Sequence, residues 1–128
     1  MQATIDGLQR VVELDDTGDG AWREVAVAAT EEAAATWERH VAGTEAPDGL
    51  LADVVEREPR LAHMVDSLRA DHVEIQGILG RVRANLPNQD SAGAREAVRD
   101  VAGRLSHHHH LGGELIHSAY DVELGGDG

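Results

Sequence analysis

A chain of 128 residues with 24 acidic and 11 basic side chains carries a formal net charge of −13. That length suits one domain with a real core, and the charge opposes general binding to nucleic acid or anionic membranes, which Lys and Arg drive. The absence of Cys removes disulfides, thiolate metal sites and cysteine nucleophiles.

Other exclusions follow from the order of residues. No apolar run nears the roughly 18 residues of a membrane span. The opening Met1-Gln2-Ala3-Thr4-Ile5-Asp6 lacks the basic-then-apolar layout of a secretory signal, so a cytoplasmic protein is expected. Every basic residue is Arg, Phe is absent, and Trp22, Trp37 and Tyr120 are the only aromatics. An Ala-rich chain of this kind leans to helices. A GC-rich genome accounts for the Arg, Ala and Gly bias; a salt-rich cytoplasm is the other explanation for the charge.

Residues 1 to 18 are expected to be an arm of uncertain order. Val11-Val12-Glu13-Leu14 suits either a short strand or a helical turn, and Asp15-Asp16-Thr17-Gly18-Asp19-Gly20 reads as a loop. A helix is predicted from about Ala21 to Gly43, with Asp19 as N-cap. Its apolar face runs through Trp22, Ala26, Ala29, Ala33 and Trp37. A short helix follows from Leu50 to Glu58, and Pro59 suits the first position of the next one.

That next helix has an unbroken stripe of Leu61, Val65, Leu68, His72, Ile75, Leu79, Val82 and Leu86. After a turn at Pro87–Ser91, with Asp90 or Ser91 as N-cap, the last helix runs from about Ala92 to Tyr120. Its stripe reads Ala94, Val98, Val101, Leu105, His108, Gly112, Leu115 and Ala119. Three long amphipathic helices and one short one describe an all-α, antiparallel four-helix bundle over residues 19–120. Residues 121–128 read as a flexible tail.

The histidines are the unusual feature. Of eight His, His40, His72 and His108 continue the apolar stripes of the three long helices. Each helix thus aims one imidazole inward. Bundles hold metals by projecting His and carboxylates from facing helices, and neutral imidazole with carboxylate suits Fe(II), Mn(II) or Zn(II). Three separately hydrogen-bonded His are the plainer explanation, and periodicity alone weighs the two equally. Glu45, just past the end of the first long helix, can swing back toward His40; Glu114, six residues after His108, is a weaker candidate. His107, His110, Glu114, His117 and Asp121 share a second stripe, read as a solvated face or else as a surface site for Zn(II), Ni(II) or Cu(II).

Three segments carry a family resemblance. Trp37-Glu38-Arg39-His40-Val41-Ala42-Gly43-Thr44-Glu45-Ala46-Pro47-Asp48-Gly49-Leu50 is one. Leu68-Arg69-Ala70-Asp71-His72-Val73-Glu74-Ile75 is the second. The third gathers Leu105-Ser106-His107-His108, Gly112-Gly113-Glu114-Leu115, Ala119-Tyr120 and Val122-Glu123-Leu124-Gly125-Gly126. Together, across residues 21–126, they resemble hemerythrin-like (HHE cation-binding) domain proteins of actinobacterial type.

The resemblance implies a four-helix bundle around non-haem iron, one or two ions, with another divalent metal as an alternative. It makes His40, Glu45, His72 and His108 the expected ligands, Glu114 an acidic candidate and Tyr120 a polar neighbour. The oxygen-carrying hemerythrins pair a His with a second ligand four residues on; here those positions hold Gln76 and Gly112. One ion, an asymmetric pair using Glu114, or a site without metal therefore all stay open.

The expected function is binding or sensing of O2 or a related small ligand at that iron. A metal-free helical module that dimerises or docks a partner is the alternative. An oxidase or peroxidase ranks below both, because no substrate pocket or nucleophile arrangement is written in the sequence.

Overall fold

The computed structural model describes residues 1–121, the side chain of Asp121 excepted. Among the described residues there are five α-helices and no strand. They are α1 (Gln2–Glu13), α2 (Ala21–Thr44), α3 (Leu50–Arg57), α4 (Ala62–Asn85) and α5 (Ser91–Ile116). Short 3₁₀ turns at Pro59–Leu61 and Leu86–Asn88 enter and leave α4, and a π-helical turn, His117–Asp121, follows α5. No helix among them is long and apolar enough to cross a membrane. The tail expected at 122–128 lies outside the described residues.

The all-helical class matches the periodicity. The helix count does not: residues 1 to 18, expected as an arm, contain α1. Ile5, Leu8 and Val11 recur at helical spacing and are buried, packed on α5 and α2. The open carbonyls at the end of α1 are met from far along the chain. Trp22 donates its indole N–H to the Val11 carbonyl at 2.9 Å, and Arg95 donates to that of Val12 while its guanidinium sits 4.6 Å from the Trp22 ring centroid. Helix ends need such partners, and here α2 and α5 supply them.

Two connections set the rest. Gly20, at φ 85°, is the left-handed residue before α2; Asp19 accepts from the Ala21 N–H at 3.0 Å instead of serving as the N-cap itself. Asp90 does cap α5, accepting from the Gly93 N–H at 2.7 Å. At Gly49 a Cβ would lie 2.4 Å from the Gly43 carbonyl oxygen. Only glycine lets the chain double back there and lay α3 across the end of α2.

The core divides into two apolar clusters. The larger joins α1, α2 as far as Trp37, the second half of α4 and α5 as far as Leu105. The smaller joins α3, the first half of α4 and the end of α5. On α4, His72 falls between Leu68 of the small cluster and Ile75 of the large one. On α5, His108 falls between Leu105 and Leu115 in the same way. The histidines therefore occupy the boundary between the clusters.

If α1 is an integral part of the core, Leu8→Ala should cost about 2–5 kcal/mol of stability, as for other buried leucines. Urea unfolding followed by circular dichroism reads this directly. A loss under about 0.5 kcal/mol, as for an exposed position, would return residues 1 to 18 to the status of an arm.

Candidate metal centre

His40 lies in the penultimate turn of α2, His72 near the middle of α4 and His108 in the second half of α5. Each offers a ring nitrogen, and these atoms all lie within 4.8 Å of one another. His72 and His108 are buried at 3% exposure each, while His40 is partly buried. His40 Nε2 stands 3.1 Å from His108 Nε2. Nitrogens bound to one ion at about 2.0–2.1 Å lie roughly 3.3–3.4 Å apart at tetrahedral angles, so the donor set fits a metal with small side-chain adjustments.

Two carboxylates hold the outer edges of two rings. Glu45, the residue that ends α2, places Oε2 2.6 Å from His72 Nδ1. Asp71, one residue before His72, places Oδ2 2.6 Å from His108 Nδ1. A carboxylate accepts, so each Nδ1 carries the proton and each Nε2 keeps its lone pair. This is how metal-binding histidines are commonly oriented. Arg104 then grips the other oxygen of Asp71 at 3.1 Å and reaches Glu74 at 3.0 Å.

Trp37 closes the larger-cluster side. It has no exposed surface, stacks on His40 at 5.2 Å between centroids and meets His72 and His108 edge-on at 5.4 and 4.8 Å. Toward α3 a cavity of about 30 Å³ opens beside the three imidazoles, walled by Leu50, Leu51, Leu68, Leu115 and Gly112. That is about one water molecule's share of liquid volume.

The five expected ligands divide. His40, His72 and His108 come together. Glu45 joins them, bonded to the outer nitrogen of His72. Glu114 does not: it lies on the outer face of α5, 54% exposed, 3.2 Å from His110. Gln76 is exposed. Tyr120 lies away from the imidazoles, donating to Asp53 under the Arg57 guanidinium. Of the second stripe, His107, His110 and His117 are exposed, and the Asp121 side chain lies outside the described residues.

Asp71 was missed because it falls beside the apolar stripe of α4, where a carboxylate reads as solvated. Its signal was pairwise: an acid one position before an inward His, facing a helix that carries Arg104 one turn before another inward His.

Burial strips water from the His40 ring, and His108 and His72 lie beside it; its pKa is pushed down from 6.5 to about 4. Burial lowers that of His108 as well, partly opposed by Asp71. Unfolded, both rings take a proton near pH 6.5. The unfolded chain thus binds more protons below that pH, and stability decreases as pH falls from about 6.5 toward about 4. His40→Gln should shrink the stability difference between pH 7 and pH 5, measured by urea unfolding with chelator present. An unchanged difference would contradict the burial account.

No protein-family model, curated protein or solved structure matches the chain.

Proposed function

We propose that the chain is a hemerythrin-like metal-binding bundle, holding one divalent ion, iron first, between His40, His72 and His108, and admitting O2 or a similarly small ligand beside it. The observation that supports this reading is the convergence of three imidazoles from three helices, two of them oriented by carboxylates. Chance burial of single histidines does not require that convergence. They are also the three histidines that the resemblance to hemerythrin-like domains implies.

The residues divide the work. His72 and His108 present lone pairs on Nε2, and His40 completes the set from α2. Glu45 and Asp71 fix the rings and supply negative charge that offsets part of the cation's. Leu50, Leu51, Leu68 and Leu115 give the cavity a mostly apolar wall, and its volume suits a ligand of one or two heavy atoms. Iron in such a site supplies an open coordination position for a small ligand. One ion is favoured over two because Gln76 is exposed, Gly112 has no side chain and Glu114 lies on the outer face. The small cavity favours a carrier or sensor over an oxidase acting on an organic substrate.

The metal-free interaction module draws less support. Among the described residues the exposed large apolar side chains are Leu14, Val25, Val73 and Ile116, scattered over separate segments of the chain.

Trp37 reports on the site. An open-shell ion among the imidazoles should quench its emission, whereas Trp22, about 22 Å earlier along the same helix at 1.5 Å per residue, should keep its own. Anaerobic loading with Fe(II) should leave about one iron per chain, with absorption that changes on admitting air. The triple variant His40→Ala/His72→Ala/His108→Ala should hold none. Equal iron in wild type and variant, or none in either, would overturn the proposal.

A further inference from the structure

Asp71 stands between two donors. Its Oδ2 faces His108 Nδ1 at 2.6 Å and its Oδ1 faces Arg104 Nη2 at 3.1 Å. Arg104 is always charged and only donates, so both oxygens of Asp71 are committed to accepting. Asp71 is only 13% exposed and Arg104 is half-buried, its other terminal nitrogen held 3.0 Å from Glu74. Neither partner is free to turn away.

We infer that Asp71, held by Arg104, is a positioning residue that fixes the tautomer of His108 and so determines which of its nitrogens is open to a metal. The inference rests on the metal-binding reading of the three histidines. With Nδ1 protonated toward Asp71, His108 keeps its lone pair on Nε2. The His40 nitrogen 3.1 Å away must then be the donor of that pair. Glu45 sets His72 in the same way from the other side, at 2.6 Å. The site is therefore built as two preset imidazoles and one that must change. Before His40 can ligate through Nε2, the proton there leaves to solvent and another is taken up on Nδ1, with no net proton gained or lost. His40 is the partly exposed member of the three and the one whose ring no carboxylate holds among the described residues.

The geometry makes Asn the informative substitution. An amide has one oxygen and one NH₂ group. Beside Arg104 the oxygen of Asp71→Asn turns to the guanidinium, and the NH₂ is left to face His108 Nδ1. His108 must then accept on Nδ1 and carry its proton on Nε2, which blocks the metal position. Removing Arg104 as well frees the amide to rotate, so that its oxygen accepts from His108 again.

Long-range proton–nitrogen NMR correlations on the metal-free protein read the tautomers directly, and Co(II) titration reads affinity. Wild type should show His108 and His72 protonated on Nδ1 and His40 on Nε2. Asp71→Asn should move the His108 proton to Nε2 and weaken Co(II) binding roughly 10–100-fold, as for other residues that orient metal-bound His. Asp71→Asn/Arg104→Leu should restore both readouts most of the way, although it removes more native contacts than the single change. A purely structural role for Asp71 would instead make the double variant worse, and that result, or an unmoved tautomer in Asp71→Asn, overturns the inference. Wild type that takes up no Co(II) or Fe(II) sinks the metal reading alone, because the metal-free spectra still decide the tautomers. If Asp71→Asn does not fold, a wild-type His108 protonated on Nε2 overturns the inference by itself.

Discussion

Three imidazoles, two buried and one partly buried, share a layer with an indole whose N–H has no partner among the described residues, and protein groups meet most of the imidazoles' hydrogen-bonding demands. An unpaired polar group in such a place costs several times what a made hydrogen bond contributes. The solution is specific. Two Nδ1 atoms donate to Glu45 and Asp71, and the Nε2 atoms of His40 and His108 face each other. The demand spreads outward, since buried carboxylates need partners too: Asp71 recruits Arg104, which recruits Glu74. A cluster that apolar residues could have replaced thus dictates the identity of several polar residues around it. Its presence in a core otherwise made mostly of Ala, Val, Leu, Ile and two Trp is the physical argument for a ligand.

The helices are arranged to make that layer possible. Ala26, Ala33, Ala94 and Ala102 are fully or almost fully buried and let the neighbouring helices pack closely on α2 and α5. The large side chains are then spent above and below the histidines, as two separate apolar clusters. α1 covers the far end of the larger cluster, and α3, brought back by Gly49, covers the imidazoles from the smaller one. The net charge of −13 plays no part in this. Its carboxylates are largely exposed, and pairs such as Glu31 with Arg83, 2.7 Å apart at 51% and 40% exposure, are of the screened surface kind that contributes little.

How legible was this in the sequence? Stripes of three and four marked α2, α4 and α5 to within a few residues, because those helices bury one continuous face and their period is undisturbed. The same stripes carried His40, His72 and His108 inward. Glu45 was legible as a residue able to swing back, though its contact with the outer nitrogen of His72 was not. α1 was missed because its stripe is only Ile5, Leu8 and Val11, and because Trp22 and Arg95 complete its end from elsewhere in the chain. Glu114 entered as a weaker candidate carried by the resemblance, and its exposure on α5 is what six steps of 100° from His108 predict. Asp71 was invisible because its role is defined by a partner on another helix, which no single-helix pattern encodes.

The central claim is that these three imidazoles are ligands and not merely neighbours. X-ray absorption at the metal edge of the iron-loaded protein tests it most directly. The account predicts a first shell of nitrogen and oxygen, with outer-shell scattering from three imidazole rings whose nitrogens lie about 2.0–2.2 Å from the ion, and loss of one ring's contribution in His108→Ala. A shell of oxygen alone, or a spectrum that His108→Ala leaves unchanged, would contradict it.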